Sequence, residues 1–115
     1  MYKEKIEQLV ISTTDEMKLS LISDAVQNCG TFVSTVISAV AAKGIYGIGS
    51  REYEDSDWKK SEACATSVSG LRVLNRLYRE QIGEELFNGI EELDPVSVTD
   101  LFIKPLADEY FTQRI

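Results

Sequence analysis

Histidine is absent from this chain of 115 residues. That excludes Ser-His-Asp and Cys-His nucleophilic arrangements, histidine-ligated zinc and haem, and an imidazole pH switch. Cysteine is nearly absent. Cys29 and Cys64 stand far apart, form no CxxC pair and cannot hold zinc by themselves. Each falls at an apolar helical position, so both are expected to be reduced, buried thiols. Long apolar runs are also missing. The best stretch, Phe32 to Ala42, is interrupted by Ser34, Thr35 and Ser38 and is too short to span a bilayer. The opening MYKEKIEQLV has neither the apolar run nor the cleavage site of a secretory leader. These features place the chain in the cytoplasm with no membrane partner. Basic residues are outnumbered, 12 against 19 acidic, for a net charge of −7. Such a surface repels phosphate backbones, so no nucleic-acid partner is expected.

What is present is the composition of a globular domain, 43% hydrophobic and 27% charged. The length fits a single domain over residues 1–115 with a core of useful size. Apolar residues recur at three and four rather than at two, which predicts helix almost throughout. The expected fold class is all-α, a compact bundle of four to five helices, with the last helix kinked or split at Pro105.

A first helix is predicted over Lys3 to Ile11. Thr13 and Glu16 have capping-box spacing, so a second helix should start near Thr14. Its stripe is Met17, Leu21, Ile22, Ala25 and Cys29, with Gly30 ending it; one long bent helix over residues 3–29 is the alternative. Thr31 is then read as the cap of a third helix, Phe32 to Lys43, burying Val33, Val36, Ile37 and Val40. Gly44 to Asp57 reads as a surface loop. Asp55 or Ser56 is expected to cap a fourth helix, Trp58 to Gln81, with the stripe Cys64, Val68, Leu71, Leu74, Tyr78 and Ile82. Gly70 inside it would allow a close helix crossing, and Gly83 or Gly89 would end it. Glu84 to Asn88 is read as a short helix. Asp94-Pro95 starts a turn or helix, Ser97 with Asp100 resembles a capping box, and Leu101, Phe102, Leu106, Tyr110 and Phe111 supply the last apolar face.

Two constellations stand out. Arg72, Asn75, Arg76 and Arg79 share one helix face and form a candidate anion- or partner-binding set, since clustered guanidinium groups grip carboxylates or phosphates. A solvated face paired with the chain's own carboxylates is the competing reading. Glu52, Glu54, Asp55 and Asp57 form a candidate acidic docking loop, with Tyr46, Tyr53 and Trp58 as nearby aromatic anchors. The glycines Gly44, Gly47 and Gly49 match no phosphate-binding pattern. The carboxylates Glu84, Glu85, Glu91, Glu92 and Asp94 lack the histidines of a helical metal site. No catalytic residue, cofactor or metal site is assigned.

The expected function is therefore a non-enzymatic protein–protein interaction module. It would bind a protein partner or a second copy, with the last helix as a contact face. The first alternative is an inhibitor of the immunity type that masks a basic toxin or nuclease. The other is an anion-binding or enzymatic domain that uses the Arg72/Arg76/Arg79 face.

Overall fold

The computed structural model describes residues 1–111, and residues 112–115 of the expected domain lie outside them. It is an all-α bundle: α1 Tyr2–Ser12, α2 Glu16–Tyr46, α3 Arg51–Ile82, a 3-10 turn at Ile90–Glu92, α4 Pro95–Val98, a π-helical turn at Thr99–Ile103, and α5 Lys104–Phe111. No strand occurs among the described residues.

Helices α2 and α3 form a long hairpin. A helix of α2's 31 residues measures about 46 Å, close to the molecule's longest dimension of 48 Å. The expected break at Gly30-Thr31 is absent. Cys29 and Phe32, on either side of it, both face the core, and the ring of Phe111 packs against Gly30. Burial on both flanks holds the backbone helical where local signals alone favoured a stop. The connection to α3 shrinks accordingly. Only Gly47 to Ser50 lies outside the helices. Gly47 and Gly49 take positive φ there, which residues with a side chain rarely adopt.

Several caps also differ from expectation. Asp15, not Thr13, caps α2 by accepting from the Met17 and Lys18 N–H groups. Thr13 instead donates its hydroxyl to Leu9 O. Ser50, rather than Asp55 or Ser56, caps α3 by accepting from Tyr53 N–H. The start expected at Asp94-Pro95 is present, with Asp94 capping α4 by accepting from Ser97 N–H, whereas Ser97 lies inside the helix and does not cap it. In each case the residue used lies nearer the true helix start, which hydrophobic periodicity alone does not fix. Glu84 to Asn88 is a turn, not a helix.

The core gathers at the end of the hairpin away from Gly47. Leu71 and Leu74 of α3, Phe87 and Ile90, and Val98, Ile103 and Leu106 of the C-terminal segment are fully buried with Leu9 of α1. The crossing expected at Gly70 is present: a Cβ there would lie 3.4 Å from Ala25 Cα. The last helix is divided just ahead of Pro105. Lys104 N–H donates to Thr99 O, five residues back, so the turn is widened. Proline lacks the N–H that would reach Leu101 O and crowds that carbonyl, and the π turn relieves the conflict.

One carboxylate ties the chain's two ends. Glu109 of α5 accepts from the Met1 ammonium at 2.8 Å, Tyr2 N–H at 3.2 Å and Lys3 N–H at 3.1 Å, and so caps α1 from outside the helix. Burial pushes its pKa up, but the Met1 ammonium and the two backbone donors outweigh that and hold it below the usual carboxylate value. A depressed folded pKa gives stability above the unfolded value of 4.5 that is lost as pH falls through the folded one. Glu109→Ala is therefore expected to cost about 1 kcal/mol at neutral pH, as for loss of an N-cap. Urea unfolding at pH 7 and at pH 3 checks this, and the difference from wild type should shrink at the lower pH.

Candidate functional site

The arginine row forms as the spacing indicated, but each member already has a partner within the chain. Arg76 grips Glu91 with two hydrogen bonds, Nε to Oε1 at 2.8 Å and Nη2 to Oε2 at 3.0 Å. Arg79 Nη1 donates to Glu85 Oε1 at 2.9 Å. Arg72 Nη2 donates to Leu93 O at 3.0 Å, while its buried Nε makes no hydrogen bond among the described residues. The Asn75 and Arg79 bonds lower the pKa of Glu85, and the Arg76 bond lowers that of Glu91. Asn75 is fully buried. Its Oδ1 accepts from Leu86 N–H at 2.9 Å and Phe87 N–H at 2.8 Å, and its Nδ2 donates to Glu85 Oε2 at 2.8 Å. Together the four residues fasten the segment from Gly83 to Leu93 onto α3. An external anion at this face would have to displace carboxylates already bound.

The acidic set is not a loop. Glu52, Glu54, Asp55 and Asp57 lie in the first two turns of α3, where negative charge complements the positive end of the helix dipole. Glu52, Glu54 and Asp55 are exposed and Asp57 is half-buried. Asp57 pairs with Lys60.

The cysteines are both free. Cys29 is buried, and desolvation pushes its thiol up to about 12. Cys64 is only half-buried, because it lines a groove of about 410 Å³ between Phe32, Lys104 and Val96. Among the described residues no three carboxylate or thiol groups converge to hold a metal ion.

The unexpected feature is the outer half of α2. Ile37 and Val40, expected in the core, are 64% and 67% exposed. Phe32, Ala39 and Ala42 are the buried residues of this half, and they turn towards α3. The exposed stripe runs along the side turned away from α3, from half-buried Val33 through Ile37, Val40 and Gly44 at spacings of three and four, with exposed Ile45 beside its outer end. It continues onto Ile48 in the turn, which is 73% exposed. No charged residue occurs between Asp24 and Lys43. By length and composition α2 is also long and apolar enough to cross a membrane.

At its inner end the stripe passes under Phe111, which is 44% exposed. Here it opens into two grooves. One, of about 680 Å³, runs along α2 past Gly30, Ser34 and Ile37. The other, of about 470 Å³, lies between α1, α2 and α5, lined by Val10, Val26 and Phe111 among others. Of the apolar face expected on the last helix, Phe102 and Leu106 are in the core, whereas Leu101 and Phe111 remain exposed. Met17 and Leu21, also expected inside, are exposed because α1 and α5 cover the neighbouring face, at Ile22 and Val26.

Comparison of the chain with protein-family models, with curated proteins and with solved structures returned no match.

Proposed function

We propose that this chain is a non-enzymatic protein–protein interaction module whose contact surface is the back face of α2, from Val33 to the hairpin turn. The observation that carries the reading is the exposed, uncharged stripe of Ile37 and Val40, extended by Ile45 and Ile48 at the turn, on a helix that packs well on its other side. Leaving several large aliphatic side chains together in water is unfavourable unless a partner removes them from it. Other large apolar side chains are exposed elsewhere, Ile11, Met17, Trp58 and Val96 among them, but this strip lies on a stretch of helix without charge, so a partner can approach it without stripping ions of their water.

The test is the double substitution Ile37→Ser with Val40→Ser. Both side chains lie in solvent, so dilute protein should unfold within about 0.5 kcal/mol of wild type. Binding of an apolar dye and retention on a hydrophobic column should both fall. A loss of stability above about 2 kcal/mol would show that the stripe is internal and would end the reading.

A second reading draws on the start of α3. Exposed Glu52, Glu54 and Asp55 follow the apolar turn at Tyr46 and Ile48. An apolar centre with an acidic rim suits a basic partner, as an inhibitor of a toxin or nuclease would need. Neutralising the three acids should then slow association and weaken its salt dependence.

A further inference from the structure

We propose that the occupant of the α2 back face is a second copy of this chain, docked antiparallel about a two-fold axis at Ile37, so that the hairpin turn of each copy fills the groove beside Phe111 of the other. This rests on the reading of that face as an interaction surface and adds to it the identity of the partner.

The argument starts from continuity. Val26, Gly30, Val33, Ile37, Val40 and Gly44 follow one another at spacings of four and three, so they form one stripe along α2. Over Val26 and Gly30 the chain covers this stripe itself, with Phe111 of α5. Beyond Ile37 the described residues leave the same stripe uncovered. Its free half therefore has the chemistry of a helix–helix contact.

Symmetry then selects the partner. A two-fold interface requires that the features on one side of the axis fit those at the same distance on the other. Gly30 and Gly44 each lie seven residues from Ile37, and Val26 and Ile48 each lie eleven. The seven helical residues on either side span about 10 Å, and beyond them lie Val26 on one side and the turn at Ile48 on the other. One end of the strip is a concave apolar groove at Val26 and Phe111. The other end is a projecting apolar turn with Ile45 and Ile48 exposed. The strip is thus complementary to its own reverse. A Cβ at Gly44 would meet nothing within 4 Å, so the bare backbone there leaves room for the partner's Phe111 ring, which lies on Gly30 at the matching distance. Charge agrees with this arrangement. Copies carrying −7 each repel one another, yet the contact from Val26 to Ile48 contains no acidic residue and a single charge, that of Lys43.

The experiment is light scattering and sedimentation across micromolar to millimolar concentration, with three variants. Wild type is expected to reach a dimer. Ile37→Cys, in a Cys64→Ser background, is expected to form a covalent dimer on oxidation, because a residue on the axis meets itself. Gly44→Cys in the same background is expected not to, because its opposite number is Gly30. Gly44→Leu is expected to raise the dimer's Kd roughly tenfold or more, about one good side-chain contact, without lowering the unfolding midpoint of dilute protein. A dimer that tolerates Gly44→Leu and does not crosslink through Ile37→Cys uses another face and overturns the proposal. A monomer at every concentration also overturns it, while the interaction-module reading survives if the Ile37→Ser, Val40→Ser protein still loses dye binding without losing stability. If that monomer instead partitions onto neutral phosphatidylcholine vesicles, the face belongs to a lipid surface and both readings fall.

Discussion

Asn75→Leu is expected to lower folding stability by about 2–5 kcal/mol, the cost of leaving two buried backbone N–H groups without an acceptor. The two side chains share one branched skeleton and leucine is the bulkier, so none of this is cavity. The loss is electrostatic: Leu86 and Phe87 N–H both point at Asn75 Oδ1, and leucine offers nothing in its place. A domain of this size has about 5–15 kcal/mol in total, so the variant should unfold at much lower urea with a similar m-value. Asn75→Asp separates the two ends of the amide. It keeps an acceptor for both N–H groups but replaces the Nδ2 donor, 2.8 Å from Glu85 Oε2, with a second carboxylate oxygen. Two carboxylates so close cannot both ionise cheaply, so the folded state raises the pKa of the pair. A raised folded pKa gives stability that is present at low pH and lost as pH rises. The deficit of Asn75→Asp relative to wild type should therefore narrow steeply as pH falls through the carboxylate range, whereas that of Asn75→Leu should narrow only by the smaller part that comes from losing the Asn75–Glu85 bond. Parallel pH behaviour of the two variants would contradict the assigned hydrogen bonds.

Phe87→Ala is expected to cost about 3–5 kcal/mol, as for truncation of a buried aromatic ring. Phe87 is fully buried and joins three parts of the chain. Its ring lies 5.2 Å from that of Tyr2 in α1 and 5.2 Å from that of Phe102 in the π turn. Both contacts are tilted, a favourable arrangement for aromatic pairs. Removing the ring opens a cavity that the backbone cannot readily close, because Asn75 holds Phe87 N–H in place. Phe87→Leu should recover much of the loss. Urea unfolding of both, and of the double variant with Asn75→Leu, provides the check. The double variant should lose less than the two separate costs added together, since both act on the same turn. Full additivity would mean that the turn and the ring are independent.

Much of this fold was legible from residue spacing alone. The helical class, the Gly70 crossing and the divided last helix follow from periodicity, from one small residue and from Pro105. The break at Gly30-Thr31 did not occur because a glycine followed by threonine is only a local stop signal. Phe111, far away in sequence, packs on that glycine and favours continuing the helix. The loop expected up to Asp57 shortened for a similar reason: Ser50 is as good a cap as Asp55 and lies earlier.

The site was less legible. The arginine face was readable from its spacing, but its carboxylate partners, Glu85 and Glu91, come from a segment whose turn geometry is set by a buried Asn75. Periodicity shows that Ile37 and Val40 belong to an apolar face. It does not show whether anything inside the chain covers that face. The one available signal was the uncharged stretch after Asp24, which is apolar on more than one side and so exceeds what a single neighbouring helix can bury.

Nitroxide accessibility at positions 37 and 39, two residues apart and on opposite sides of α2, bears on this most directly. Separate cysteine variants, Ile37→Cys and Ala39→Cys, would be spin-labelled and exposed to a water-soluble paramagnetic quencher at low protein concentration. The label at 37 is expected to relax freely with the quencher and the label at 39 to be shielded against α3. Equal shielding at both positions in dilute protein would mean that the chain covers its own back face, and no surface for a partner would remain there.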